Sequence, residues 1–330
     1  SDVYKRQTLN RPGRLTGLPG FFMSITNKKL MKMVNRMEIY PIENGKLSVT
    51  IAAHGAELSS IYDKENGREL VWQADPTFWN RHAPVLFPNV GKYYGEYFTY
   101  NGKEYPMGQH GFARDTEFEE VAAGEDFVTY RLSSNETTKK EYPFDFKLEI
   151  THRLQGGRLS VEWKVTNTGD KEMYFTIGGH PAFNVNVLPD TDFEDYFLAF
   201  KEGTESLSYV LLDTESGTAI ADKTYELKLT NSKYALKKDM FDKDALVFDN
   251  GQIEWAALAL PDGKPYIALE SKGFPNFGIW SKPGAPYVCL EPWCGRCDNR
   301  GFEGELSEKP GINALKAGEV FEKSYDIIVY

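Results

Sequence analysis

The sequence predicts an all-β, mainly antiparallel protein with the architecture of a large β-sandwich. Apolar and charged side chains alternate over residues 144–154, and apolar residues recur at every second position over 159–165, beyond a turn at 155–158. Turns rich in Gly, Asn and Asp separate further short apolar runs, whereas helical periodicity is scarce. The 19 Tyr and 21 Phe residues also favour strands. Many short strands joined by regular turns are typical of a sandwich.

The strand pattern begins at Met37, and we interpret residues 37–330 as one domain. Strands are predicted at 46–52, 127–132, 144–154, 159–165, 266–269, 277–280 and 323–329. Between them, a strand through Met173, Phe175 and Ile177 ends at His180, so the meander from residue 144 delivers a histidine to a rim. Residues 201–244 are polar and less regular, which predicts long loops with a short helix or turn near 232–238.

Residues 1–36 differ in character, since they are basic and show no strand alternation. They could pass for a transit peptide or a polybasic tail. Residues 2–7, however, read like translated adapter sequence, and we interpret 1–36 as a disordered extension or as an artefact of sequencing or gene modelling.

Composition excludes several classes of partner. The formal net charge of −10 argues against nucleic-acid binding, which needs a surplus of Lys and Arg on one face. No apolar run approaches the roughly 18 residues that span a bilayer, so no integral membrane protein is expected. The three cysteines, Cys289, Cys294 and Cys297, are an odd number that suits a reducing, cytoplasmic setting, and a structural zinc site would need four ligands. We therefore predict no metal.

Three segments place a candidate acid or base at the end of an apolar strand. In residues 174–184 (YFTIGGHPAFN), an apolar strand is followed by two glycines and then by His180. The glycines permit close backbone approach or a positive φ. Residues 107–114 (MGQHGFAR) carry His110, and residues 288–295 (VCLEPWCG) carry Glu291. Two histidines and a glutamate at strand ends form an acid/base set near neutral pH.

Taken together, GGHPAFN, QHGFAR and LEPW resemble the aldose 1-epimerase (galactose mutarotase-like) family in their order and separation. Within the family they resemble the branch with an HGFAR-type motif, which includes LacX-like proteins and hexose-6-phosphate mutarotases. The resemblance covers roughly Met37 to the C-terminus. It implies the extended two-sheet "supersandwich" and an isomerase that interconverts the α and β anomers of a hexose.

The resemblance also assigns roles to the three residues. It implies that Glu291 is the general base and His180 the general acid, while His110 hydrogen-bonds the sugar near its ring oxygen; whether His110 also shares the acid role stays open. Acid/base catalysis of ring opening requires neither a metal nor an organic cofactor, so none is expected. The apolar neighbours of Glu291 should raise the pKa of its carboxyl group.

Residues for sugar binding follow less directly. Galactose mutarotases carry an arginine where the segment FPNVGK ends in Lys92, whereas the phosphosugar branch gathers arginines near HGFAR, as Arg81 and Arg114 could do together with Lys92. Among aromatic residues near the motifs, Phe183 and Trp293 are predicted to stack on the sugar because they flank the acid and base. Asp244 resembles a sugar-binding acid of the family.

Two further functions remain open at this point. A hexose 6-phosphate could replace the free aldose as substrate, and the same fold could serve as a non-catalytic carbohydrate-binding or sensor module. The expected partner is in each case a small sugar, bound by a monomer or a homodimer.

Overall fold

A nine-stranded antiparallel sheet forms one layer of the protein. The structure is a computed structural model that describes residues 39–330; the predicted extension 1–36 lies outside the described residues. In spatial order the sheet contains β18 (Lys233–Ala235), β15 (Phe197–Phe200), β20 (Trp255–Ala259), β21 (Pro265–Glu270), β25 (Val320–Val329), β11 (Arg158–Asn167), β10 (Phe146–Gln155), β9 (Phe127–Ser133) and β8 (Glu119–Ala123).

A six-stranded antiparallel sheet carries the candidate site. Its strands run in the order β19 (Leu246–Phe248), β22 (Asn276–Trp280), β23 (Tyr287–Cys294), β13 (Ile177–Gly179) and β5 (Val85–Leu86), while β14 (Ala182–Asn184) also pairs with β23. One face of β23 enters the main core through Val288 and Leu290, together with the inward residues of β10 and β11 such as Trp163. The other face of β23 is therefore free to carry polar groups.

The remaining elements are short. A four-stranded sheet contains β1 (Ile39–Glu43), β2 (Leu47–Ala52), β3 (Leu58–Asp63) and β4 (Arg68–Glu69). Two-stranded ladders are β6 (Tyr97–Tyr100) with β7 (Lys103–Pro106), β12 (Met173–Phe175) with β24 (Asn313–Leu315), and β16 (Ser206–Tyr209) with β17 (Tyr225–Lys228). Helix α1 spans Thr138–Glu141, and 3₁₀ helices span Tyr94–Glu96, Ala113–Asp115, Phe193–Asp195 and Leu306–Glu308.

The prediction of an all-β, antiparallel fold is confirmed, and the β10–β11 hairpin turns at Gly156 and Gly157 as expected. The prediction of a helix or turn near 232–238 is wrong in part, because Lys233–Ala235 forms the edge strand β18. Asn231 and Ser232 both adopt positive φ, of 51° and 57°, so the chain folds back tightly and pairs with β15. Among residues 39–330, none of the helices has the length and apolar content needed to cross a membrane.

Candidate active site

His180 and Glu291 face each other across two neighbouring strand segments. β23 pairs through Trp293 with Gly178 of β13 and through Cys289 with Ala182 of β14. The register is the same in both halves, so His180, which lies between β13 and β14, stands opposite Glu291. Opposite residues of antiparallel strands project from the same face. The His180 Nε2 and Glu291 Oε2 atoms are accordingly 3.3 Å apart.

The two glycines before His180 admit aromatic rings. A Cβ atom on Gly178 would lie 2.4 Å from Cδ1 of Trp293, and one on Gly179 would lie 2.8 Å from the hydroxyl of Tyr325. Gly278, on the other side of β23, would meet the same indole at 2.4 Å. Trp293 thus occupies a slot between two glycines. Close approach, rather than positive φ, explains why residues 178 and 179 are glycines.

His110 enters from a turn with left-handed backbone. His110 and Gly111 have φ values of 69° and 68°, and a Cβ atom on Gly111 would lie 2.3 Å from the carbonyl oxygen of Phe87. The Gly91 N–H group donates a hydrogen bond of 2.9 Å to Nδ1 of His110. Burial lowers the pKa of His110 well below its usual range, as do His180 and the positive charge of Arg114. The neutral ring therefore carries its proton on Nε2, as a fixed donor.

These side chains line a cavity of about 410 Å³, within the range of roughly 300–1,000 Å³ that is usual for small-molecule sites. Its wall includes His110, His180 and Glu291 together with Trp293 and Asp244. Phe78, Trp79 and Trp280 add aromatic surface, and the Trp79 ring stacks on the His180 imidazole with centroids 4.9 Å apart. The cavity thus combines an acid/base pair with aromatic faces that suit a sugar ring.

The acid/base pair is held almost entirely away from solvent, since Glu291 is 1% exposed and His180 is 7% exposed. Burial raises the pKa of Glu291 well above its usual range, and the nearby Asp244 carboxylate acts in the same direction. Burial lowers the pKa of His180 to about 3, and the positive charges of Arg114 and Arg81 act in the same direction. Burial thus disfavours the charged form of each group, so a proton shared by the pair in the empty cavity favours Glu291 over His180.

One wall of the cavity is basic. Arg81, Arg114 and Lys282 all line it. Asp115 is 2.8 Å from Nη2 of Arg81 and 3.6 Å from Nε of Arg114, so one carboxylate serves two guanidinium groups. Burial lowers the pKa of Arg114 to about 10, and the charge of Arg81 contributes to this. Nη2 of Arg114 donates to the carbonyl oxygen of Gln109, whereas its buried Nε makes no hydrogen bond to any residue that the structure describes.

Seven of the nine residues predicted from the sequence meet at this cavity: Glu291, His180, His110, Arg114, Arg81, Trp293 and Asp244. Phe183 does not line it. It lies one residue beyond Ala182, which faces the site, so its side chain points to the opposite face and packs, fully buried, in the main core. Lys92 does not line it either, because its Nζ forms a salt bridge of 3.0 Å with Glu96.

Sequence reasoning missed Trp79, Trp280, Lys282 and Cys289. Trp280 could have been found, because the predicted strand 277–280 pairs with β23 and Trp280 lies opposite Cys289, on the face of Glu291. Cys289 follows from the same alternation, two residues before Glu291. Trp79 belongs to an irregular segment between β4 and β5, where no periodicity indicates the direction of its side chain.

Comparison with known proteins identifies the family to which this fold belongs. The family model "Aldose 1-epimerase" matches residues 38–327, and the chain belongs to this family. The plasmid-encoded protein LacX of Lactococcus lactis subsp. lactis is 32% identical over 296 residues, covering 87% of this chain and 98% of LacX.

Two solved structures extend the comparison. A galactose mutarotase related enzyme from Lactobacillus acidophilus is 34% identical with a TM-score of 0.84, covering 88% of this chain and 97% of that protein. A galactose mutarotase-like protein from Lactobacillus casei is also 34% identical, with a TM-score of 0.80 and coverage of 88% and 100%. The predicted family and the galactose mutarotase-like sandwich are thereby confirmed.

Proposed function

We propose that this protein is a mutarotase, an isomerase that interconverts the α and β anomers of a hexose. The observation that carries the proposal is the pair of His180 and Glu291, 3.3 Å apart in the wall of a sugar-sized cavity. The C1 hydroxyl oxygen and the ring oxygen of a pyranose are bonded to one carbon. An acid and a base that serve both oxygens must therefore lie close together, as these two groups do.

Ring opening requires two proton transfers, one to Glu291 and one from His180. Glu291 removes the proton of the C1 hydroxyl while His180 donates its proton to the ring oxygen, which breaks the bond between C1 and that oxygen. After rotation about the C1–C2 bond, His180 takes the proton back and Glu291 returns its own to the carbonyl oxygen, which closes the ring from the other face. The pair ends as it began, with one proton.

His110 holds the sugar during these steps. Its Nδ1 accepts from Gly91, so its Nε2 carries the proton; the side-chain amide of Gln109 lies 3.2 Å from that nitrogen, and the sugar would take its place as hydrogen-bond partner. A neutral donor near the ring oxygen stabilises negative charge there without competing for the proton of His180. Trp293 and Asp244 supply an apolar face and a hydrogen-bond acceptor at the same wall.

Substitution of the pair tests the proposal. We expect Glu291→Gln and His180→Ala each to abolish measurable acceleration of mutarotation while leaving the melting temperature near that of the unchanged protein. Polarimetry of freshly dissolved α-glucose measures the rate, and calorimetry measures sugar binding. Near-normal rates in either variant contradict the assignment. Binding of sugar by the unchanged protein without any acceleration favours the non-catalytic module instead.

A free aldose is our first choice of substrate, and a hexose 6-phosphate is the second candidate. The specific observation for the phosphosugar is that three cationic side chains line the cavity, Arg81, Arg114 and Lys282, although both arginines also contact Asp115. Guanidinium groups bind phosphate through charge-assisted hydrogen bonds.

Specificity constants for glucose, galactose and glucose 6-phosphate distinguish the two substrates. If phosphate is bound, Arg81→Ala should weaken the phosphosugar by about 1.5–3 kcal/mol, roughly ten- to a hundredfold, and barely affect glucose. Lys92→Ala is the matched control, because Lys92 is a cation that pairs with Glu96 and does not line the cavity. Equal losses for both sugars in Arg81→Ala would exclude a phosphate role for this residue.

A further inference from the structure

A third donor atom lies behind the acid/base pair. Cys289 is on the same face of β23 as Glu291, and it is fully buried. Its Sγ atom, a nitrogen of His180 and a carboxylate oxygen of Glu291 all lie within 4.8 Å of one another. The acid/base mechanism leaves this thiol without a role.

We propose that His180, Cys289 and Glu291 form a three-ligand site for a soft divalent cation such as Zn²⁺ or Cd²⁺. Imidazole, thiolate and carboxylate are the three ligand types that bind zinc in proteins. A thiolate favours such cations over Mg²⁺ and Ca²⁺, which take oxygen ligands. The fourth position of a tetrahedral ion would face the cavity, where His180 and Glu291 line the wall.

The spacing of the ligand atoms supports this site. Zinc bonds of about 2.0–2.2 Å at a tetrahedral angle place a nitrogen and an oxygen ligand roughly 3.3–3.6 Å apart. The observed separation of His180 Nε2 and Glu291 Oε2 is 3.3 Å. Glu291 Oε2 is buried, and its polar contact at 3.3 Å is His180 Nε2, the second ligand of the proposed site. Cys289 Sγ lies within 4.8 Å of the donor atoms of both other ligands.

Metal binding must displace the protons that its ligands carry. Burial raises the pKa of the Cys289 thiol, so in the empty cavity it remains protonated. A cation would bind the thiolate and release the thiol proton to solvent, together with any proton on Glu291. His180 Nδ1 makes no hydrogen bond within the described residues. An acceptor at that position typically strengthens binding about 10- to 100-fold, so we expect weaker binding than at a fully supported zinc site.

The site would act as an inhibitory switch rather than as a cofactor site. A cation bound to His180 and Glu291 occupies both groups that would transfer protons, so it should compete with the sugar. This consequence rests on the proposed function, whereas the metal site itself does not.

A Cd²⁺ titration of the metal-free protein tests the site, because thiolate ligation produces an ultraviolet charge-transfer band that is independent of activity. We expect one Cd²⁺ per chain and the band in the unchanged protein. In Cys289→Ala the band should disappear and the affinity should fall at least tenfold. Cys297→Ala is the matched control, since Cys297 is a buried free thiol that lines the same cavity outside the cluster, and it should behave as the unchanged protein does.

Absence of the band at a slight excess of Cd²⁺, or its persistence in Cys289→Ala, would overturn the proposal. If Cys289→Ala does not fold, Glu291→Gln provides the second test, because it keeps the thiol and should still bind Cd²⁺ at least tenfold more weakly. Unchanged affinity in that variant would also overturn the site. A protein that binds Cd²⁺ but does not accelerate mutarotation would retain the metal site and lose only the proposed function.

Discussion

The pKa of the Glu291 carboxyl group lies above that of the His180 imidazole, which is the reverse of the usual order. An ordinary pair would ionise at 4.5 and 6.5, with the carboxylate formed first. Here burial disfavours both charged forms, so it raises the pKa of Glu291 and lowers that of His180. With no sugar bound, the cavity thus favours the proton on Glu291. This is the protonation state that the proposed mechanism gives the pair while the sugar ring is open. In the proposed mechanism, substrate binding shifts that proton to His180 before the ring opens.

This reversed order predicts an unusual pH profile. Activity needs one proton on the pair, so kcat/KM should fall only below about pH 3, where both groups are protonated. It should fall again as the pH rises through the raised pKa of Glu291, because then neither group can act as the acid. The profile should therefore stay level through pH 4.5, the ordinary value for glutamate.

Polarimetry at several pH values, corrected for the spontaneous rate, measures this profile. Circular dichroism at each pH controls for unfolding on the acid side. An acid limb near pH 4.5 in folded protein would show that the pKa of Glu291 is not raised.

At the scale of elements, β23 places core residues on one face and the residues of the candidate site on the other, because alternate side chains of a strand point in opposite directions. Val288 and Leu290 pack in the main core, whereas Cys289, Glu291 and Trp293 face the opposite side. The flanking strands accommodate Trp293 because Gly178 and Gly278 lack side chains. The position of the indole, and with it the shape of the cavity beside Glu291, depends on these two glycines.

We expect Gly178→Ala to destabilise the protein by about 1–3 kcal/mol and to reduce activity. The new methyl group would overlap the Trp293 indole, which Gly278 contacts from the other side. The Cβ atom at position 178 would lie 2.4 Å from Trp293 and 3.1 Å from Val90. Gly45→Ala is the matched control, since nothing lies within 4 Å of its Cβ position. Denaturant unfolding compares the two variants. Equal free energies of unfolding would contradict the claim that Gly178 must lack a side chain to accommodate Trp293.

At the scale of the whole molecule, residues from distant parts of the chain meet at one cavity. Arg81 and His110 come from loops early in the chain, His180 from its middle, and Glu291 from near its end. Residues Glu38–Tyr330 form one compact unit. The predicted cytoplasmic location and the choice between monomer and homodimer stay predictions.

A chain that begins at Met37 should match the full chain in melting temperature and in mutarotation rate, because residues 1–36 show no strand periodicity. Differential scanning calorimetry and polarimetry of both chains test this expectation. A melting temperature several degrees lower in the shorter chain would show that residues 1–36 stabilise the domain.

The sequence by itself determined the strand pattern, the family and seven of the nine predicted cavity residues. Period-two alternation and turn residues are local signals, which explains why the β10–β11 hairpin and the strand before His180 could be predicted. The three motifs identified His180, His110 and Glu291 because each motif resembles the family in residues that are adjacent in sequence.

Only the tertiary structure decided which side chains share the cavity. Phe183 and Lys92 are near the motifs in sequence, but a strand turns alternate residues to opposite faces, and Glu96 pairs with Lys92. Trp79 and Lys282 reach the cavity from irregular segments. The pKa values of Glu291 and His180, and the proximity of Cys289 to His180, arise from burial and from pairing between distant strands. Such contacts leave no local pattern, because they depend on segments more than 100 residues apart.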